Sequence, residues 1–199
     1  LELADVLQGK CFSKEAILKV KGMEHLYILP TFGIGGTLKN YSETKLSDEP
    51  FVIQDLVKEL SESYERIVLD LSPGLGRLER AALIASDEII TPMTPEVFSL
   101  DGLEIFIEEL AKLKKNYKSP VKHKRIIINS FDERIKQHRD IYSVAESSGR
   151  FTIFKIPVDP IFRKSQEANS VPQIYKVRGR GMKVATLDAL KELDKEIWS

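Results

Sequence analysis

Residues 66–76, RIVLDLSPGLG, constrain the fold more than any other part of this chain. Arg66, Ile67, Val68 and Leu69 read as a short strand, and a continuous apolar run suits a sheet covered on both faces. Asp70 follows at the carboxyl end of the run, the edge at which open α/β sheets bind ligands. Pro73, Gly74 and Gly76 then stop the strand and let the backbone turn tightly before a helix expected over 78–86. Two readings of Asp70 fit the pattern: a carboxylate that holds Mg²⁺ or a water of its shell, or an aspartate that only ends a strand.

The rest of the chain alternates short β runs with amphipathic helices, the signal for stacked βα units. Short helical pieces are expected over 3–7 and 13–18, and a strand over 25–29 closed by Pro30. Residues 31–50, rich in Gly, Thr, Ser and Asn, read as loop with at most a helical turn. A helix over 51–64 leads into the Asp70 strand. The next strand, 88–91, ends at Pro92, and Ser99 is the expected cap of a long helix reaching about residue 116. Leu103, Phe106, Ile107, Leu110 and Leu113 share one face of it. Strands over 125–128 and 151–156 flank a helix over 139–147, and a closing helix spans 181–197. None of these strands is bounded by a two-residue hairpin turn. The expected class is α/β, layered βα units with a mostly parallel sheet covered by helices.

A chain of 199 residues with 42% apolar content supports one ordinary core, so one α/β domain over 1–199 is the expectation. Cys11 is the single cysteine and the histidines are three and scattered, which excludes a disulfide framework and a zinc cluster. Apolar runs fall far short of the roughly 20 residues needed to span a bilayer, which predicts a cytoplasmic protein with no stable membrane insertion. The net charge of zero hides an asymmetry: residues 120–199 carry 16 basic against 10 acidic side chains, and residues 122–183 carry 14 against 6. Such an excess fits either ordinary solubility or attraction to a polyanion.

Four strings in order resemble the ParA/MinD group of deviant Walker-type ATPases. LDLSPGLG is similar to the family's second aspartate motif, with Ser72-Pro73 where two prolines are usual. TPMTPEVFSLDGL, residues 91–103, is similar to the segment after the next strand. INSFDERI, 128–135, resembles the loop with the adenine-side asparagine, here Asn129, and an arginine, Arg134. IPVDPIFRKSQEANSVP, 156–172, resembles the late loop and helix that close around the base, although Ser170-Val171-Pro172 departs from the usual glycine-proline ending.

No G-x-x-x-x-G-K-[ST] string occurs in these 199 residues. The nearest stretch, FGIGGTLKN at 32–40, has Lys39 followed by asparagine, and so lacks the hydroxyl that holds Mg²⁺ beside a phosphate-binding lysine. The resemblance places that loop before the first motif found here. The order of motifs therefore predicts the carboxyl-terminal portion of such a protein, without its first βαβ unit.

The resemblance implies ATP and Mg²⁺ as cofactors of the complete protein, an ATP-bound homodimer, hydrolysis that releases the subunits, and action in plasmid or chromosome partition. Asp70 would order the metal's water shell and act with Pro73, Gly74 and Gly76 as a switch. Asn129 would face the adenine edge, with the backbone of Pro157, Val158 and Asp159 on the other side. For Asn129 a turn-forming role at a strand end is the competing reading. Implied partners are a ParB-like protein and non-specific DNA, the latter through Arg134, Arg163, Lys164, Arg178, Arg180 and Lys183, placing the protein at the nucleoid. Arg163 has a second reading as an ion-pair partner of Asp159 or Glu167. A MinD-like division-site ATPase and a nucleotide-independent interaction module, docking through a sheet edge or the 103–113 helix, stand as alternatives.

Overall fold

The computed structural model describes residues 1–31, 37–46, 49–167 and 181–198, which fall into two compact units. The first comprises Leu1–Asp87 with Leu113–Val121, and the second Glu88–Lys112 with Lys122–Ser199.

The first unit is mainly helical: α1 (Leu3–Leu7), α2 (Ser13–Ala16), β1 (Leu18–Lys19), β2 (Tyr27–Ile28), α3 (Thr37–Thr44), α4 (Val52–Ser61) and α5 (Arg77–Ala85). Its core gathers Tyr41, Leu46, Ile53, Ala81 and Ala82, with Leu7, Leu69 and Leu78 packed against them. Tyr41 explains why a stretch of Thr, Asn and Ser is helical after all. Its ring is buried and its hydroxyl donates to Glu49 Oε2 at 3.0 Å. Burial, and then the hydrogen bond to and charge of Glu49, push its pKa up to about 12. Leu18 leaves the expected helix for a two-residue antiparallel pairing with β2, Leu18 opposite Ile28. Gly22, at φ 82°, takes the left-handed backbone within the connection, which spans more than a two-residue turn.

The expected strand at 66–69 is a correction: these residues form no ladder among the described residues. A strand exists only as half of a pairing, because its amide groups need partners. With no ladder among the described residues, the run leaves Val68 74% exposed.

The second unit contains β3 (Glu88–Met93), α6 (Val97–Tyr117, of which residues from Leu113 belong to the first unit), β4 (Lys122–Phe131), α7 (Lys136–Ser147), β5 (Thr152–Pro157), α8 (Pro160–Glu167) and α9 (Val184–Trp198). The strands pair in the order β3-β4-β5, all parallel. Parallel neighbours cannot be joined by a hairpin, and α6 and α7 supply the crossovers. Ile126 and Ile128, both fully buried, meet Met93, Leu103, Phe131 and Ile141 in the core. Burying each of these two side chains contributes about 1.5–3 kcal/mol.

Ser99 does not cap α6. The helix starts earlier, at Val97, and the Ser99 hydroxyl lies 3.1 Å from Thr94 Oγ1. At the amino end of β4 the His123 ring packs against Phe106 and Phe151, centroids 5.3 and 4.9 Å away, with Nε2 2.9 Å from Thr91 Oγ1. Burial, reinforced by the Arg150 charge and opposed by Glu88, pushes its pKa down to about 4.

Candidate functional site

Asp70 lies in the first unit, exposed, at the end of the extended run. Residues 66–72 and 27–31 line an apolar groove of about 680 Å³, to which Leu56, Leu60, Leu78 and Ala82 also contribute. Pro73 and Gly74 are exposed in the turn that follows, and Gly76 is the N-cap residue of α5 in extended conformation. The turn is fastened at both ends: the Ser72 hydroxyl donates to Glu79 Oε1, and Arg80 Nε donates to the Leu75 carbonyl at 3.0 Å. Glu79, three positions after the N-cap residue, reaches back over the start of its own helix. That capping spacing was visible in the sequence and marks Glu79 as a residue that the motif comparison overlooked.

In the second unit the carboxyl ends of β4 and β5 come together, Phe131 opposite Pro157. Asn129 is exposed, in an interruption of the pairing register between Ile128 and Phe131. Its Oδ1 accepts the Ser130 N–H at 2.9 Å, and Ser130 adopts φ 58°. The Asn129 side chain thus engages the adjacent backbone at the strand end, while the carboxamide keeps its NH₂ donors and a second oxygen lone pair. The Val158 N–H donates to the Phe131 carbonyl at 3.3 Å, and the Val158 carbonyl accepts Lys183 Nζ at 2.7 Å. Asp159 is a buried clasp: Oδ1 accepts the Ile161 N–H at 3.1 Å and Oδ2 the Lys183 N–H at 2.7 Å. Burial opposes its charge, but the N–H groups of Lys183 and Ile161, with the Thr186 hydroxyl beside them, outweigh it and hold the carboxyl below its usual range.

The basic residues are mostly tied to neighbours. Arg134 is bidentate on Asp132, Nε to Oδ1 at 3.0 Å and Nη2 to Oδ2 at 2.6 Å, and it holds that carboxyl well below the usual range. Arg163 meets Glu167 at 3.3 Å, the ion-pair reading with the partner one helical turn along; both side chains are exposed. Lys164 is exposed on α8. Lys183 is turned onto the Val158 carbonyl, and Arg178 and Arg180 lie outside the described residues. Among the described residues no three or more His, Cys, Asp or Glu side chains converge as a metal cluster, and no helix is long and apolar enough to cross a membrane. A lone carboxylate such as Asp70 fits Mg²⁺ that is held largely by water and phosphate, the usual arrangement for that ion at nucleotide sites.

A family model described as an AAA domain matches residues 1–123. An uncharacterized protein, BBD21, of Borreliella burgdorferi is 32% identical over 177 residues, 83% of this chain and 68% of that protein. The chromosome-partitioning ATPase Soj of Treponema pallidum is 22% identical over 142 residues, 71% of this chain but 55% of its own length, so this chain spans little more than half of that relative. In fold, the chain is similar to a plasmid partition protein of Borrelia burgdorferi solved with AMPPNP, with a TM-score of 0.76 and 21% identity over 98% of this chain and 73% of that one.

Proposed function

Because this chain belongs to the ParA/MinD/Soj-like deviant Walker-type ATPases, we propose that it is part of an ATPase that partitions plasmid or chromosomal DNA. The observation that best supports this reading is the apolar run at 67–69 that ends in exposed Asp70 and passes into the fastened 72–79 turn. In this reading the phosphate loop belongs to a part of the protein outside these 199 residues, and the 67–70 run, which joins no ladder among the described residues, receives its strand. Bound Mg²⁺ and ATP supply the electrophilic phosphoryl group and the charge that neutralises its oxygens.

The chain's own residues do the rest. Asp70 would hold the metal through its water shell, and its position next to Pro73, Gly74 and Gly76 would link that charge to the turn. Opening the turn breaks the Ser72–Glu79 and Arg80–Leu75 hydrogen bonds, which makes it a two-position element. Asn129 would hold an adenine edge through its NH₂ donors and second oxygen lone pair, with Pro157, Val158 and Asp159 as the proposed facing wall. That wall is rigid because the Val158 amide and carbonyl are already satisfied.

For the DNA partner, Arg163 and Lys164 on α8 suit phosphate contacts. An exposed pair such as Arg163–Glu167 contributes only about 0.3–0.5 kcal/mol and is readily exchanged for a phosphate. Arg134, Lys183, Arg178 and Arg180 complete the proposed set, and a ParB-like protein and an ATP-bound homodimer are the proposed partners.

The deciding experiment compares ATP hydrolysis by the complete protein with that of its Asp70→Ala variant, at equal folded fraction by circular dichroism. Loss of turnover is expected, and unchanged turnover removes Asp70 from the site. In parallel, anisotropy titration of a random duplex against potassium chloride should give a log-log slope shallower by about 1.8 for Arg163→Ala/Lys164→Ala, two phosphates at roughly 0.9 each. An unchanged slope makes these ordinary surface charges.

A further inference from the structure

The helix after the Asp70 turn is packed into the core of the first unit, while the turn lies outside it. Ala81, Ala82, Leu83 and Ile84 of α5 are buried, and Arg77 in its first turn donates to the Glu43 carbonyl near the end of α3. Leu71, Ser72, Pro73 and Gly74 are all exposed. Arg80 reaches back only as far as the Leu75 carbonyl, next to the helix. Glu79 reaches seven residues back, its Oε1 accepting the Ser72 hydroxyl.

Gly76 shows that this reach is built in. Its φ of −65° and ψ of −179° are open to any residue, so the backbone does not call for glycine. Space does. A Cβ at Gly76 would stand 2.6 Å from Glu79 Oε2, whereas a Cβ at Gly74 would meet nothing within 4 Å. A glutamate three residues after the N-cap ordinarily turns back to the N-cap amide of its own helix. Here it lies over a bare glycine and continues to a hydroxyl four residues before the cap. Ser72, Gly76 and Glu79 thus form one device. Where the ParA/MinD motif usually has two prolines, position 72 is a serine, and a proline would have no hydroxyl to offer.

We propose that Glu79 is a positioning residue for the Asp70 site: by holding Ser72 it latches the turn in one of its two positions. The assignment rests on the ATPase reading of Asp70. Ser72 stands two residues from that carboxylate, about 7 Å of chain at most, so the latch limits where the carboxylate can stand. A shift of Asp70 toward the water shell of a bound Mg²⁺ carries Ser72 with it and parts the hydroxyl from a glutamate that α5 holds still. The latch therefore opposes the loaded position, and its strength sets the fraction of molecules ready for nucleotide.

The test uses the complete protein. Amide hydrogen exchange of residues 71–76, without nucleotide, should speed up about threefold to tenfold in Ser72→Ala and in Glu79→Ala, the size of one charge-assisted hydrogen bond at an exposed site. The double variant should match either single one, because both remove the same bond. Gly76→Ala, which pushes the carboxylate aside, should act in the same direction, and Ser72→Thr should restore the parent rate. Across these variants the Kd of a non-hydrolysable ATP analogue with Mg²⁺ should fall by a like factor. In EDTA, where Asp70 has no metal shell to follow, it should equal that of the parent. A merely structural role predicts additive effects and equal changes with and without Mg²⁺. Either result overturns the proposal, as does parent-like exchange in both single variants. Asp70→Ala separates the two readings. If it leaves analogue binding with Mg²⁺ unchanged, the ATPase reading of Asp70 fails and the positioning role with it. If it weakens binding while the latch variants behave like the parent, the latch alone is wrong.

Discussion

Two pentads of this chain are nearly the same in sequence and opposite in fate. Arg66-Ile67-Val68-Leu69-Asp70 and Arg125-Ile126-Ile127-Ile128-Asn129 both run from an arginine through three branched or aliphatic residues to a small polar one. The second lies in the middle of β4, paired on both sides from Arg125 to Ile128, with Ile126 and Ile128 fully buried. Its Arg125 donates to Glu88 and to the Glu196 carbonyl. The first has no ladder among the described residues, and its central Val68 is 74% exposed. Local propensity is equal in the two, so what separates them is the presence of neighbouring edges. In this protein a strand is a property of its neighbours as much as of its residues.

The sharpest probe of that contrast is amide hydrogen exchange. Amides of 126–128 should exchange only on opening of the whole second unit, and those of 67–69 nearly as fast as in a free peptide, a difference of at least about 10³ in rate. Comparable protection would mean that the first pentad is paired in solution. Next in size is side-chain truncation. Ile128→Ala should cost about 2–5 kcal/mol in urea unfolding, against less than about 0.5 kcal/mol for Val68→Ala. If the complete protein pairs a strand on the 66–70 edge, Val68→Ala should become clearly costly there, which would turn the contrast into a measurement of that pairing.

Smaller again is the pH dependence that His123 gives to the paired region alone. Its folded pKa is pushed down to about 4, so between roughly pH 6.5 and 4 the unfolded chain binds a proton that the folded chain does not. Stability should therefore be fully present above about pH 6.5 and decline as the pH falls toward 4, by roughly 1–2 kcal/mol once solvent screening of the partly exposed ring is allowed for. His123→Phe should flatten that window of the profile in urea titrations at fixed pH values. Least of all are the pentad ends. Asn129→Ala removes the acceptor for Ser130 N–H and should cost about 0.5–1.5 kcal/mol. Asp70→Ala should stay within about 0.5 kcal/mol of the parent by thermal melting. A larger loss at Asp70 would make it a structural residue.

The same contrast explains what the sequence could and could not reveal. The parallel sheet was legible because β3, β4 and β5 are apolar runs separated by helical periodicity, and each finds its partner within the next crossover. The run at 66–69 carries the same signal, but its pairing depends on an edge that no local pattern describes. The β1–β2 pairing was hidden because each strand has only two residues, and α3 because one buried tyrosine outweighs the turn-forming composition around it. At the candidate site, Asp70, Asn129 and residues 157–159 are nominated by motif resemblance. The ties on Arg134 and Lys183 are different: Arg134 grips Asp132 two residues back, a spacing with no helical signature, and Lys183 meets Val158 and Asp159 from far along the chain. Arg163–Glu167, with its i,i+4 spacing, was readable in advance.

The Asp159 clasp turns a single carboxylate into a joint between two helices. By accepting the Ile161 and Lys183 amides it ties the first turn of α8 to the approach to α9. Neutralising or removing that one side chain would leave both amides without this acceptor, so the two helix starts would loosen together, and each would feel a change made at the other.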